Sequence, residues 1–202
     1  MLVLEGESVR LEPLQERHLE ALCEIALDPD ITRFLPHRFV DRGELHSFIR
    51  DAVRARESRT AIPFAIVLTH QGGSRVVGTT RFLNIDAKNG RMEIGGTMIG
   101  RPWQRTRVNT EVKYLMLRHA FEAFACIRVE FKTDSLNERS RRALLRIGAV
   151  PEGVFRNHVI TGDGRIRHSA YYSITAEEWP AVKVRLSGML AGTHAAAHHR
   201  PR

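Results

Sequence analysis

The sequence predicts a mixed α/β protein of the α+β type, and two observations carry that prediction. In the first half, three apolar runs are separated by tight-turn residues, which is typical of an antiparallel meander. In the second half, apolar strands alternate with amphipathic helices, which indicates crossover connections between neighbouring parallel strands. The chain has 202 residues, a length that suits one domain with a sizeable core. We expect that domain over residues 1–190 and a disordered tail over 191–202, where apolar periodicity is lost.

The first elements are a strand and two helices. Residues 8–14 alternate apolar and polar side chains, as a half-buried strand does. An amphipathic helix follows, with one apolar stripe formed by Leu19, Leu22, Cys23 and Ala26. The segment DPDITRFLP (28–36) breaks the pattern, and Asp41 then precedes a second amphipathic helix.

The meander follows the second helix. Its strands are IPFAIVLTH (62–70), RVVGTTRFLNI (75–85) and RMEIGGTMI (91–99). A Gly72-Gly73 turn joins the first two strands, and Asn89-Gly90 joins the last two. The Asn-Gly pair is the strongest hairpin signal in the chain.

The second half continues as helix, strand, helix, hairpin and helix. A helix from about Val112 to Phe124 leads to the strand CIRVEFKT (126–133) and to a helix that starts at Asn137 and stops at Gly148. Then come PEGVFRNHVIT (151–161), a GDGR turn, the strand HSAYYSIT (168–175) and a helix over residues 177–186.

Composition excludes several classes of protein. Cys23 and Cys126 are far apart and have no CxxC partner, so neither a metal site nor a disulfide framework is expected. No run of eighteen apolar residues occurs, and the N-terminal segment lacks the regions of a signal peptide, which predicts a cytoplasmic protein without a membrane partner.

The positive charge is concentrated in one segment. The net charge is +8, and residues 101–146 hold eleven Lys or Arg against five acidic residues. This clustering favours a local anionic partner. A nucleic acid is the alternative partner, but no aromatic-rich RNA-binding strand pattern is present.

The segment WQRTRVNTE (103–111) has the form of a loop that feeds a helix. A helix N-terminus offers unpaired N–H groups and partial positive charge, which together suit a phosphate. Arg105 and Arg107 add full charges there, unless both side chains lie in solvent.

Three stretches carry a resemblance to one family: MEIGGTMI (92–99), WQRTRVNTE (103–111) and NERSRRALLRIGAVPEGV (137–154). In order and spacing, residues 8–180 resemble the GNAT N-acetyltransferases, within them the RimJ/RimL-like branch that acetylates N-termini of ribosomal proteins. The resemblance implies a mixed central sheet with an antiparallel N-terminal meander, a splayed parallel pair at the fourth and fifth strands, and helices on both faces.

The resemblance also implies acetyl-CoA as cosubstrate and a set of residues that bind it. The family's loop pattern falls on Gln104, Arg107 and Asn109, of which the last two replace a glycine and a glycine or alanine. The implied coenzyme contacts are Gly96, Thr97, Met98 and Ile99 on the fourth strand, Gln104, Arg105, Thr106, Arg107, Val108, Asn109 and Thr110 in the loop and helix start, and Asn137 and Ser140 in the second motif.

Two residues receive catalytic roles from the resemblance. Glu93 matches by position a glutamate that serves some members as general base, although a structural hydrogen-bond acceptor is the alternative. Leu144 stands where many members have a tyrosine that protonates the departing thiolate. Ser140, a water or unassisted departure would then replace that tyrosine, and Ser140 is the candidate we favour.

The implied reaction transfers acetyl to a primary amine by direct attack in a ternary complex. Within the branch the acceptor would be an α-amine of a protein or peptide, and free amino acids, polyamines and xenobiotic amines stay open. Contact with nucleic acid is expected only through the ribosome, and a homodimer is compatible with the family. The alternatives are a catalytically idle acyl-CoA-binding module, which the altered loop glycines favour, and a ribosome- or RNA-associated protein.

Overall fold

A mixed sheet forms the centre of the protein, which we describe from a computed structural model over residues 1–70 and 73–197. The strands are β1 (Leu4–Glu5), β2 (Val9–Pro13), β3 (Ile62–His70), β4 (Gly73–Asp86), β5 (Arg91–Ile99), β6 (Arg128–Asp134), β7 (Val150–Ile160) and β8 (Ile166–Thr175). The helices are α1 (Leu19–Ala26), α2 (Pro29–Thr32), α3 (Arg42–Glu57), α4 (Val108–Glu122), α5 (Glu138–Ile147) and α6 (Trp179–Ala197).

The antiparallel meander is confirmed. Strands β1 to β5 lie side by side in chain order, each antiparallel to the next. Gly90 has φ +59° in the turn between β4 and β5, as the Asn-Gly signal predicts. The predicted Gly72-Gly73 turn lies partly outside the described residues.

The splayed parallel pair predicted at the fourth and fifth strands is confirmed as well, and it is formed by β5 and β6. β5 pairs with β6 in parallel only where residues 91–93 meet residues 128–130. Beyond Glu93, β5 continues to Ile99 without pairing to β6. A gap therefore opens in the middle of the sheet along the segment 94–99.

The last strands differ from the predicted neighbouring parallel arrangement. The order at this end is β6-β8-β7, so β8 lies between β6 and β7 and is antiparallel to both. The 162–165 turn folds β8 back along β7, and β8 then pairs with β6 over seven residues while burying Tyr172 and Ile174. Pairing and burial together make this order more favourable than direct contact of β6 with β7.

Helices cover both faces of the sheet, as predicted. One core cluster joins α4 and α6 to one face, and the other joins α1 and α3 to the opposite face. Along β3, Phe64 and Ile66 belong to the first cluster, whereas Ala65 and Val67 belong to the second. This alternation is the two-residue period of a strand that is buried on both sides.

Local capping signals set several helix ends. The Asp41 carboxylate accepts a hydrogen bond from the Glu44 amide at 2.9 Å and begins α3. Asn137 caps α5 in the same way, and Gly148 ends it with φ +100°. Both ends of α5 are therefore confirmed.

The last helix is longer than predicted. It runs to Ala197 rather than ending near residue 186, so residues 191–197 of the predicted tail are helical. Residues 198–202 lie outside the described part of the chain. In the part that is described, no helix has the length and apolar character needed to cross a membrane.

Candidate active site

A cleft of about 830 Å³ opens where β5 and β6 separate. One end is lined by the 104–109 loop and by α5, and the other end by the segment between α2 and α3. The splayed half of β5 forms its floor. The residues predicted from the second coenzyme motif and those predicted from β5 thus face one cavity.

Glu93 lies in the cleft with one carboxylate oxygen held and the other available. The residue is 3% exposed, and its Oε2 accepts from Asn84 Nδ2 at 2.8 Å and lies 3.4 Å from Lys132 Nζ. A Cβ atom at Gly95 would come within 2.8 Å of Glu93 Oε1, so the carboxylate lies over the Gly95 backbone. No side chain or amide in the described residues donates a hydrogen bond to Oε1, which leaves this oxygen able to accept a proton.

Gly96 brings the strand backbone close to the cleft. Its φ is +58°, a conformation that favours glycine, and a Cβ there would lie 2.6 Å from Arg81 Nε. Thr97, Met98 and Ile99 follow, all lining the cleft. This segment was predicted to contact the coenzyme.

Lys113 of α4 is a site residue that sequence reasoning missed. It is 6% exposed, lines the cleft, and donates from Nζ to Thr97 Oγ1 at 3.0 Å. Thr97 Oγ1 is in turn 2.8 Å from Thr80 Oγ1, and the Phe131 ring centroid lies 6.0 Å from Nζ. Burial lowers the pKa of Lys113 to about 7. The available signal was a lysine that directly follows Val112 and precedes Leu115 and Met116 on a helix rich in apolar residues.

Glu93 and Lys113 approach the gap from opposite faces of the sheet. The flanking residues Met92 and Ile94 point into the α4 cluster, so Glu93 points to the α1 and α3 face. Lys113 reaches the gap from the α4 face. A group that accepts a proton and a group that can donate one therefore flank the same opening.

Gln104 ties the end of β5 to α5. Its Nε2 donates to the Ile99 carbonyl at 2.8 Å, and its Oε1 accepts from Arg139 Nη1 at 2.6 Å. Gln104, which is the loop residue that fits the family pattern, therefore connects the end of β5 to α5 across the cleft.

The two loop arginines differ in backbone and in surroundings. Arg105 has φ +60°, is exposed and lines the cleft. Arg107 has an ordinary φ of −65°, so arginine can replace glycine there without backbone strain. Its guanidinium contacts Glu7 at 2.7 Å and Glu111 at 3.6 Å, and the side chain is not part of the cleft lining. The phosphate role of the Arg107 side chain stays a prediction.

The start of α4 is built from side chains that support its backbone. Thr106 Oγ1 accepts from the Val108 amide at 3.3 Å, and Thr110 Oγ1 accepts from Arg146 Nη2 at 3.2 Å. Val108 and Thr110 are buried, whereas Asn109 lines the cleft. The first amides of α4 thus have the placement of an anion site.

The second motif presents polar and apolar groups side by side. Asn137 Oδ1 accepts from the Ser140 amide at 3.0 Å, and both residues line the cleft. Leu144, one turn further along α5, is buried and also lines the cleft, but it has no proton to donate. Ser140 and Lys113 also line the cleft, and their hydroxyl and amine groups can each donate a proton.

The residues that line the far end of the cleft were not identified as site residues from the sequence. This end combines apolar side chains of Phe34, Leu35, Phe39 and Phe48 with the two arginines Arg81 and Arg167. The Arg81 guanidinium lies 4.4 Å from the Phe48 ring centroid. This end can bind a second molecule that has apolar and charged parts.

The chain is similar to known acetyltransferases. Residues 8–150 match the family model of the Acetyltransferase (GNAT) domain. An uncharacterized N-acetyltransferase named p20, from Bacillus licheniformis, is 24% identical over 180 residues, which are 89% of this chain and 99% of that protein.

Solved structures extend the similarity to the whole fold. A protein of T. thermophilus assigned as an acetyltransferase is 37% identical with a TM-score of 0.84, over 94% of this chain and 97% of that chain. Mycobacterium smegmatis RimJ, solved in complex with CoA-disulfide, is 24% identical with a TM-score of 0.76, over 90% and 88% of the two chains.

Proposed function

Because the chain belongs to the GNAT family of acetyl-CoA-dependent N-acetyltransferases, we propose that it acetylates the α-amine of a protein or peptide N-terminus. The amine attacks the thioester directly in a ternary complex, within a catalytic domain formed by residues 1–190. The observation that carries the proposal is the Oε1 atom of Glu93, which lies over Gly95 beside the gap in the sheet without a hydrogen-bond donor from the described residues.

The coenzyme binds along the splayed strand and the start of α4. Backbone groups of residues 96–99 pair with the pantetheine arm in place of β6, and the amides of residues 107–110 bind the diphosphate. Arg105 and Arg139 supply positive charge beside it, while Gln104 and Thr106 hold the loop. Asn137 and Ser140 contact the pantetheine chain. The complex of RimJ with CoA-disulfide supports this part of the proposal.

Glu93 accepts the proton of the incoming amine. An α-amine has an ordinary pKa of about 7.7 to 8.0, so roughly a tenth of it is already neutral at pH 7. A lysine side chain, with a pKa of about 10.4, is neutral in only about one molecule in a few thousand. A single carboxylate, acting directly or through water, is sufficient for the α-amine, and this favours it over a lysine side chain.

Lys113 delivers a proton to the departing thiolate. The amine nitrogen bonds to the thioester carbonyl carbon, the carbon–sulfur bond then breaks, and sulfur takes the proton from Nζ. Glu93 then gives the proton of the amine to solvent, and Lys113 takes a proton from solvent, so that both groups return to their starting protonation states. Lys113 is better suited than Ser140, because its pKa of about 7 is below the ordinary thiol value of about 8.5. Ser140 is the alternative donor.

A thiol-release screen tests the proposed function. The protein is incubated with acetyl-CoA and with peptides, amino acids, polyamines and small amines, and products are identified by mass spectrometry. Acetylation of peptide α-amines supports the proposal. Exclusive acetylation of lysine side chains contradicts the acceptor class, and coenzyme binding without thiol release from any acceptor identifies an idle acyl-CoA-binding module.

A further inference from the structure

Arg81 brings a half-buried positive charge to the far end of the cleft, which we call the acceptor end. Its side chain crosses Gly96 and stacks over Phe48 of α3. Among the described residues, it has no hydrogen-bonded carboxylate. Burial lowers the pKa of Arg81, and the charge of Glu93 opposes that shift, so the two groups are within electrostatic reach of each other.

Arg167 of β8 brings a second positive charge to the same cleft. It is 3% exposed, and its Nη1 makes one long contact of 3.4 Å with the Phe34 carbonyl oxygen. Its Nε is buried without a hydrogen-bond partner in the described part of the chain. Asp134, whose charge favours the protonated Arg167, is itself bonded to Arg165 at 2.5 Å.

The acceptor end therefore has more positive than negative charge. Lys132 lies 3.4 Å from Glu93 and offsets its charge, which leaves Arg81 and Arg167 in excess. A buried charge without a partner is costly, whereas a carboxylate bound to a guanidinium forms one of the strongest hydrogen-bonded pairs in proteins. A purely cationic amine would be repelled from these two groups.

We propose, on the premise taken from the proposed function that the acceptor is an α-amine, that the acceptor carries a carboxylate near its amine and that Arg81 and Arg167 recognise this group. Phe34, Leu35, Phe39 and Phe48 surround the rest of the acceptor with apolar surface. The carboxylate is either the α-carboxylate of a free amino acid or the side chain of an N-terminal Asp or Glu. Polyamines are excluded as acceptors, since they bring only positive charge.

Matched acceptor pairs test the proposal and distinguish the two sources. One pair is phenylalanine and phenylalanine amide, and the other is two C-terminally amidated peptides that begin with Asp or with Asn. We expect kcat/KM to be about tenfold to a hundredfold higher for the carboxylate member of at least one pair. Spermidine should be the poorest acceptor. Equal rates within both pairs would overturn the proposal.

Two variants connect the preference to the arginines. R81M and R167M keep side-chain length and remove charge, while R50M removes an exposed arginine of α3 outside the cleft lining. We expect both cleft variants to reduce the preference to within about threefold and R50M to retain it. Retention of the full preference in R81M and R167M would contradict the assignment of the binding residues.

Binding of the acetylated product provides a readout that does not depend on turnover. In calorimetry, the N-acetylated carboxylate product should bind the complex with CoA at least tenfold more tightly than its amide, and R81M should remove that difference. Acetylation of amines without any carboxylate preference overturns this inference alone. Absence of thiol release from every acceptor overturns the proposed function and this inference together.

Discussion

Lys113 Nζ lies 3.0 Å from Thr97 Oγ1, and this hydrogen bond joins α4 to the splayed half of β5. The lysine is buried, and the Phe131 ring centroid lies 6.0 Å from its Nζ. The Thr97 hydroxyl that it contacts is in turn hydrogen-bonded to the Thr80 hydroxyl. Among the described residues, no carboxylate forms an ion pair with it. A lysine with these surroundings can change its protonation state near neutral pH.

Replacement of Lys113 by methionine should slow the chemical step. We expect K113M to lower kcat on the order of a hundredfold, within the range of general-acid catalysis, with little change in coenzyme affinity. S140A tests the alternative donor and should lower kcat on the order of tenfold to a hundredfold only if the Ser140 hydroxyl supplies the proton. A large loss in S140A together with nearly normal turnover in K113M would reverse the assignment.

The protonation of Lys113 should also appear in folding stability. Because burial lowers the pKa from 10.5 to about 7, the unfolded chain binds more protons than the folded chain between those pH values. The free energy of unfolding of the wild type should therefore rise relative to K113M as pH increases from 7 to 9, by at most about 1.4 kcal/mol per pH unit. Denaturant unfolding at several pH values measures this difference, and a constant difference would show that Lys113 has an ordinary pKa.

Replacement of Glu93 by glutamine should remove the proton acceptor but keep the contact with Asn84. We expect E93Q to lower kcat on the order of a hundredfold near pH 7, with partial recovery at higher pH as the acceptor amine loses its own proton. Steady-state rates from pH 6 to 9.5 measure both effects. Turnover within twofold of the wild type at pH 7 would assign Glu93 a structural role.

Alanine variants of the arginines around the loop should distinguish residues that bind the coenzyme from a residue that stabilises the fold. R105A and R139A should each weaken coenzyme binding by about 1 to 2 kcal/mol, because both lose a charge at the cleft. R107A should mainly lower the melting temperature, because its guanidinium contacts Glu7 and the buried Glu111. Calorimetric titration with CoA and thermal unfolding measure the three variants. If R107A, and neither R105A nor R139A, lost about 1 to 3 kcal/mol of the free energy of CoA binding, the phosphate role predicted from the sequence would be supported.

Local features of the fold could be predicted from the sequence, because their causes lie within a few residues. Alternating apolar residues and the Asn89-Gly90 turn predict the meander, and the Asn137 cap and Gly148 stop predict α5. The coenzyme loop is likewise a short continuous segment. The helical continuation over residues 191–197 was missed, since its apolar periodicity is weak.

Only the tertiary structure decided the features that depend on distant parts of the chain. The position of β8 between β6 and β7 depends on which strand edge the hairpin pairs with. The guanidinium of Arg107, for which a phosphate contact stays a prediction, lies beside Glu7, a hundred residues away in sequence. The lowered pKa of Lys113 arises from burial, and Arg167 Nε is buried without a hydrogen-bond partner among the described residues. Burial is a property of the packed molecule. Sequence alone determined which chemical groups the chain carries, whereas packing determined which of them lost their water and faced the same cleft.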